Sequence, residues 1–396
     1  MPESGVILVA ALSGRAIAQA VARTGAVVAT LDQFSDADLP GPARRVAGDP
    51  VAGFDGEALI AAARALAPPG SGLVVGSGFE QAPGLLAALM EAGPYRLLGN
   101  GPDVVRAVKD PANFAVRLEA LGLEELGISH PETRIEAPQC AVPEEWLVKR
   151  VGAAGGWHIA AWNGAPPPGG HYLQRRAAGW PVSVAFVADR TGRCELAAIS
   201  RQWADPTSDA PFRYGGAVLP VMVPALLADR LAEAARRIAV EFGLIGLNSL
   251  DLLVDGAMDA PSVTVLEVNP RPGATLDLLE RHRQGGVMRA HLDAVTGRRW
   301  SLGTPRPGVI AGAVAYADAV LTVPENFAWA PWYADLPHPG STIEAGQPLC
   351  SVIAWGGDEE EAWRRLSRRI ERIVADCAPR ACLLEKTADV LAPLQC

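Results

Sequence analysis

The amino-acid sequence predicts a mixed α/β (α+β) protein: an N-terminal open parallel α/β sheet, a middle unit rich in antiparallel strands, and a small β-rich C-terminal cap ending in a helix. Three observations carry this expectation. The first hundred residues alternate short apolar runs with amphipathic ones. The runs between 146 and 269 are strand-like and separated by turn-rich loops. The last hundred set short strands among Pro-rich turns. A chain of 396 residues exceeds one ordinary core, so units are expected over 1–101, 102–300 and 301–396.

In the first unit the pattern gives strands over 6–12, 27–31 and 73–75 and helices over 15–23, 57–66 and 84–91. Ligands of open α/β sheets bind beyond the carboxyl ends of strands, where this chain carries Ser13, Asp32 and the turn Gly76-Ser77-Gly78-Phe79-Glu80. Ser13 and Glu80 are therefore candidates to hold the two ends of a substrate, with surface and turn roles as the competing reading. No G-x-G-x-x-G follows the first strand, which argues against a dinucleotide site.

The second unit begins with helices over 103–109 and 113–121, divided by Lys109-Asp110-Pro111. The run Trp146-Leu147-Val148-Lys149 then reads as a strand with a lysine near its end, followed by a loop holding Gly152, Gly155 and Gly156. Glycines let backbone N–H groups close around phosphate oxygens and the lysine adds a point charge, although Gly-rich turns are common in their own right. The segment 145–205 is expected to act as a lid. His158, beside the loop, is read as an ordinary exposed histidine, with a lid role as the alternative. Further strands are expected over 172–176, 182–187 and 195–200, a polar loop over 205–216 and a core-packing helix over 225–242.

Two apolar runs, 250–254 and 263–268, flank a turn-rich segment and read as a strand pair. Acidic and amide groups interrupt them. Glu267 and Asn269 are two residues apart, so the pleat puts both on one face, where Asp251 can meet them. Such an oxygen cluster suits a hard cation, and Mg²⁺ usually keeps substrate phosphates in its shell. Arg271 adds a bidentate fork for phosphate or carboxylate oxygens. A salt-bridged sheet edge is the competing reading.

In the last unit, strands over 311–316 and 350–354 precede a helix over 359–375 with a solvated arginine face, and Trp329, Trp332 and Trp355 are expected to fill a satellite core. A net charge of −9 without a basic block argues against a nucleic-acid partner, and no apolar run reaches membrane-span length. The first apolar run has no basic flank, so the cytoplasm is the expected location. Cys140, Cys194, Cys350, Cys377, Cys382 and Cys396 show no C-x-x-C spacing and are read as reduced, scattered thiols.

The order of these parts, a lysine after the first α/β unit, a second lysine before a glycine-rich loop, and then Asp251, Glu267 and Asn269 with Leu-Glu-Val-Asn-Pro-Arg-Pro-Gly at 266–273, resembles the ATP-grasp carboxylate-amine ligases over roughly residues 1–300. The resemblance implies an ATP-grasp fold whose first unit is the domain that precedes the grasp. By position it implies that Lys109 and Lys149 hold the ATP phosphates under the Gly152, Gly155 and Gly156 loop. Gln174, Arg175, Arg176 and Ala177 match the hinge that meets the adenine edge, largely through backbone groups. Asp251, Glu267 and Asn269 match ligands for Mg²⁺, with Mn²⁺ as a substitute, and Arg271 and Lys149 match the charged groups at the reacting phosphate. The pattern departs at Pro181, where the acid that binds the ribose is expected.

Among members, the 76–80 turn, Leu98-Gly99-Asn100, Lys109-Asp110-Pro111 and the Asn-Pro-Arg-Pro-Gly surround look similar to a bacterial group that includes the tyramine–L-glutamate ligases of methanofuran and methylofuran assembly. That implies small acid and amine substrates, glutamate and tyramine, tyrosine or a related amine, joined through an acyl phosphate. If the chain assembles, a homodimer is expected. A D-alanine-type dipeptide ligase, a bicarbonate-activating carboxylase and a non-catalytic nucleotide-binding regulator are the competing functions.

Overall fold

The computed structural model describes residues 5–49, 52–138, 142–257 and 261–377. Cys140, Cys382 and Cys396, and residues 258–260 of the turn between the acidic strands, lie outside them. Cys194, Cys350 and Cys377 are free thiols.

Strand β1 (Val6–Ala10), almost wholly buried, is the centre of a parallel five-stranded sheet. A parallel strand covered on both faces must be apolar throughout, which is why Val-Ile-Leu-Val-Ala carries no alternation. Helix α1 (Arg15–Arg23) follows it, then β2 (Val27–Asp32), α2 (Gly56–Leu66), β3 (Gly72–Val75) and α3 (Pro83–Ala92). The sheet order is Ala43–Arg45, β2, β1, β3, Arg96–Leu97. Asp55 caps α2 by accepting from the Glu57 and Ala58 N–H groups, both at 3.1 Å.

Helices α4 (Pro102–Lys109) and α5 (Pro111–Ala120) meet at a break set by Asp110-Pro111: the residue before proline is driven to extended backbone, and Asp110 caps the second helix through Asn113 N–H at 2.9 Å. Next come β4 (Trp146–Arg150), β5 (Ile159–Ala161) and β6 (His171–Arg175), which with Thr133–Arg134 make a separate antiparallel sheet in the order β5, β4, β6, Thr133–Arg134.

The largest sheet has nine strands. Its members are β7 (Trp180–Ala188), β8 (Cys194–Ala204), β9 (Tyr214–Leu219), β10 (Gly246–Asp255) and β11 (Ser262–Asn269), then β12 (Val309–Tyr316) and β13 (Pro348–Gly356). They run in the order Tyr333–Ala334, β13, β12, β9, β8, β7, β10, β11, Ile128–Ser129. The C-terminal strands thus extend the same sheet that carries the acidic pair, and α9 (Glu359–Cys377) covers them. Helix α6 (Ala225–Phe242) buries Leu227, Leu231 and Ile238 against the other end of the sheet.

Three expectations change. The polar loop after β8 is shorter than 205–216, because Tyr214–Leu219 is a strand whose glycines hide the apolar pattern. A Cβ on Gly216 would lie 2.3 Å from the Trp203 ring and 2.4 Å from Gly312 O. Trp329 and Trp332 pack in the C-terminal core, whereas Trp355 packs against the central core and stacks on His282, ring centroids 6.2 Å apart. The arginine face of α9 is only partly solvated: Arg365 donates to Trp355 O at 2.9 Å, and Arg369 donates to Ile353 O and lies over the Trp332 ring.

Two buried polar side chains join the N-terminal sheet to the acidic strands. Asn100, 2% exposed, donates to Asn248 Oδ1 at 2.7 Å and Pro270 O at 2.9 Å and accepts from Ile245 N–H at 2.8 Å. His291 on α8 (Met288–Val295) accepts from Leu247 N–H at 2.8 Å and meets Leu98 O at 2.9 Å. Burial holds its imidazole neutral, with a pKa near 4. Replacing Asn100 by alanine strands these buried backbone groups, so Asn100→Ala is expected to lower stability by about 2–4 kcal/mol in a urea titration. An unchanged midpoint would show that the two units do not depend on this junction.

Candidate functional site

The site forms where α4, β4, β10 and β11 converge. Register puts Glu267 directly opposite Asp251, and Asn269 lies two residues along the same face of β11. Asn269 Nδ2 donates to Asp251 Oδ2 at 2.7 Å, which turns its Oδ1 toward Lys109 Nζ at 3.3 Å. Lys109 also donates to Glu267 Oε2 at 2.9 Å. The lysine reaches this point because its helix stops at Asp110-Pro111, leaving Lys109 as the last helical residue, 8% exposed.

Lys149 approaches from the other sheet. It faces Tyr172 across β4 and β6, so Gln174, two residues on, shares its face and accepts from Nζ at 2.6 Å. Gln174 Nε2 reaches Thr133 Oγ1 at 3.4 Å, Thr133 meets His130 Nε2 at 3.2 Å, and His130 Nδ1 meets Val265 O at 2.8 Å. A chain of hydrogen bonds therefore ties the second lysine back to the acidic strand.

The charges shift one another. Burial pushes the Asp251 carboxyl up to about 6, with Glu267 adding to the rise. Burial would also raise Glu267, but Lys109 outweighs it and brings the group down to about 2. Burial lowers the Lys149 ammonium from its ordinary value; Glu267 opposes that shift and Lys109 adds to it.

Gly152, Gly155 and Gly156 all have left-handed backbone, with φ of 71°, 73° and 76°. The loop is packed tightly against neighbouring backbone. A Cβ on Gly152 would lie 2.4 Å from Glu80 O, one on Gly156 would lie 1.8 Å from Phe212 O, and Gly155 O accepts from Tyr214 N–H at 3.0 Å. His158 at its end is half-buried, with Nδ1 lacking a hydrogen-bond partner, so the exposed reading of this residue is corrected. Burial takes its pKa down to about 4, against the pull of Glu267.

Other expected residues stand differently. Glu80 is 4% exposed and already committed: it accepts from Gly78 N–H at 2.9 Å and Phe79 N–H at 3.2 Å and pairs with Arg271 Nε. Burial would raise it, but Arg271 and Lys109 hold it below its ordinary value. It therefore positions Arg271 and offers no free carboxylate to an amine. Ser13 is exposed, and among the described residues no contact joins it to the cluster. The Arg175 and Arg176 N–H groups donate to Glu132 O and Glu145 O at 2.8 and 2.7 Å, and the Arg175 side chain pairs with Glu145. Backbone N–H donation to a base from those two is thereby closed off; Ala177 follows at the end of the segment. Pro181 is an exposed strand residue opposite Leu253.

The donor set fits a hard cation. Asp251 Oδ1 is buried without a hydrogen-bond partner, and Asn269 is held with its oxygen toward the cleft. Among the described residues no three His, Cys, Asp or Glu side chains gather to hold a metal alone. Two carboxylates and an amide suit Mg²⁺ completed by phosphate and water. Sequence reasoning missed the side-chain role of Gln174, which follows only from the cross-strand register of Lys149 and Tyr172. For His130, Thr133 and Asn100 as partners, nothing in the spacing pointed to them.

A buried carboxyl raised to about 6 makes the ligand-free protein less stable as pH rises from about 4 to 6, since the folded state holds its proton longer. Asp251→Asn is therefore expected to stabilise the ligand-free protein by about 1–2 kcal/mol above pH 6, with the gain vanishing below about pH 4. Thermal melts across that range check it; a gain independent of pH would contradict the burial of this charge.

Residues 118–275 match the family model described as an ATP-grasp domain. The carbamoyl phosphate synthase large chain of Myxococcus xanthus is 24% identical over 243 residues, 54% of this chain, and the chain spans only about a fifth, 21%, of that relative. Among solved structures, the biotin carboxylase domain dimer of Hydrogenobacter thermophilus 2-oxoglutarate carboxylase, in complex with MgADP, ADP and bicarbonate, superposes with a TM-score of 0.69 at 11% identity, covering 94% of this chain and 90% of that one. The N5-carboxyaminoimidazole ribonucleotide synthetase of Thermotoga maritima gives 0.65 at 12% identity, covering 93% and 98%. No helix among the described residues is long and apolar enough to cross a membrane. With that match and these superpositions, the chain has the ATP-grasp fold.

Proposed function

We propose that the protein is an ATP-dependent ligase that joins a carboxylate to an amine through an acyl phosphate. The observation that carries the reading is the convergence of Lys109, from the end of helix α4, and Lys149, from strand β4, on the charge field of Glu267, Asn269 and Asp251, with a packed glycine loop after β4. A carboxylate oxygen attacks the γ-phosphorus, the bond to the β-phosphate oxygen breaks, and ADP leaves. The amine nitrogen then attacks the acyl carbon, phosphate departs with the C–O electron pair, and the amine gives up a proton as the amide forms.

Little covalent chemistry falls to side chains; their work is charge stabilisation and positioning. Lys109 exchanges its contact with Glu267 for a phosphate oxygen, and Lys149, held by Gln174, meets another. Arg271, fixed at Nε by Glu80, keeps guanidinium N–H groups for the acid or the transferring phosphoryl group. Asp251, Glu267 and Asn269 would hold Mg²⁺, or Mn²⁺ in its place, which supplies neutralisation of phosphate charge. The loop at Gly152 and Gly156 excludes the water that would hydrolyse an acyl phosphate.

For the acid we propose L-glutamate and for the amine tyramine, tyrosine or a related aromatic amine, in assembly of a methylofuran-type one-carbon coenzyme. The support is the resemblance at the 76–80 turn, Asn100, Lys109-Asp110-Pro111 and the 269–273 run. A second reading takes bicarbonate as the acid, supported by the bicarbonate bound in the Hydrogenobacter relative. A cytoplasmic, small-molecule enzyme without a nucleic-acid or membrane partner accords with either reading, and a homodimer is the assembly proposed.

ADP release measured with glutamate or bicarbonate, against a panel of amines, separates the two, and product mass identifies the bond. In the active pair, Glu267→Gln is expected to cut kcat by at least about 100-fold with the fold intact, and Lys149→Ala to raise the KM for ATP by at least about tenfold. Wild-type turnover by Glu267→Gln would remove that carboxylate from the reaction.

A further inference from the structure

At the C-terminal end of α1, where Arg23 stands, lies a cavity of about 750 Å³ whose lining shares no residue with the lysine site. Such a volume suits a metabolite-sized ligand. Its wall includes Arg23 at the end of α1, Arg281 on α7 (Leu276–His282), and Arg283 and Arg306 in the loops beyond, with Glu280 as the one acidic lining residue. In a chain of net charge −9, this is a local reversal of sign.

The acid is already used. Glu280 Oε1 accepts from Val287 and Met288 N–H, both at 2.7 Å, and Oε2 faces Arg23 Nη1 at 3.5 Å. The arginines are compensated unevenly. Arg281 pairs with Asp277 at 3.2 Å. Arg283 is fixed by carbonyls, donating to Ala197 O and to Gly303 O at 2.9 Å, with no carboxylate hydrogen-bonded to it. Arg306 makes no side-chain hydrogen bond or ion pair among the described residues. A flat surface completes the wall: Trp355 lines the cavity and is backed by His282, 2% exposed, whose ring nitrogens have no hydrogen-bond partner and whose ring stacks on the indole at an interplanar angle of 24°.

We infer that this cavity binds a small, multiply charged anion, a phosphorylated or polycarboxylate metabolite, as a second ligand separate from the nucleotide. Converging guanidinium forks with few competing carboxylates recognise such groups bidentately, and the buttressed indole offers a face for the ligand's apolar part. The inference does not rest on the ligase reading, because none of these residues belongs to the lysine site.

The experiment is calorimetric titration of the full chain with pyrophosphate and, separately, with citrate, in saturating Mg²⁺ and a non-hydrolysable ATP analogue. At least one probe is expected to bind, weakening with added salt, and the tighter one names the headgroup class. The Arg23→Ala/Arg306→Ala double variant is expected to lose at least tenfold in affinity. In a parallel fluorescence titration, Trp355→Phe is expected to lose the emission change that accompanies binding. Absence of binding to the wild-type protein, or equal affinity in the double variant, would overturn the inference.

Discussion

The structure depends on one electrostatic arrangement: two carboxylates and an amide on facing strands, balanced by two lysines that come from elsewhere in the chain. Carboxylates this close repel, and burial adds a cost, so the cluster persists only because Lys109 sits on Glu267 and Asn269 bridges to Asp251. Every element around the site serves that balance. The Asp110-Pro111 break fixes where Lys109 emerges, the Gln174, Thr133 and His130 chain holds Lys149 from behind, and Glu80 aims Arg271. The uncompensated part of the balance appears at Asp251, which keeps one buried oxygen unpaired and a pKa raised by burial. That arrangement is costly unless something charged arrives to use it, which is the usual trade between stability and function.

Positioning is also a matter of how the sheets are joined. Lys109 ends a helix that follows directly on the N-terminal sheet, and the carboxylates lie on the nine-stranded sheet, so their meeting requires those two sheets to keep a fixed relation. Asn100 and His291 supply it with buried, fully used hydrogen bonds, where apolar contact alone would allow sliding. Close backbone packing also fixes the glycine loop. Gly152 rests against the 80–81 backbone and Gly156 against Phe212, contacts that any side chain would prevent.

Much of this is legible in the sequence. The two-residue spacing of Glu267 and Asn269 implied a shared face, and their register opposite Asp251 and Ser249 bears that geometry out. The N-terminal alternation of strands and helices was equally plain, because parallel buried strands announce themselves as unbroken apolar runs. What escaped had physical reasons. Tyr214–Leu219 was obscured by Gly215 and Gly216, present because Trp203 and Gly312 leave no room for a Cβ. Leu276–His282 shows no amphipathic stripe because nearly all its residues are buried, Asp277 and Glu280 included. His130, Thr133 and Gln174 meet only through tertiary pairing, and Glu80 became a positioning group through Arg271, 191 residues away.

The central claim, that the Asp251, Glu267 and Asn269 face under the two lysines grips a divalent cation carrying a triphosphate, is tested most directly by anomalous scattering. Crystals grown with Mn²⁺ and a non-hydrolysable ATP analogue should show an anomalous peak about 2.1 Å from Glu267 and Asn269 oxygens, with phosphate density between it and the Lys109 and Lys149 ammonium groups. A peak elsewhere, or nucleotide density that leaves Lys109 paired with Glu267 and Lys149 bonded to Gln174, would contradict the account.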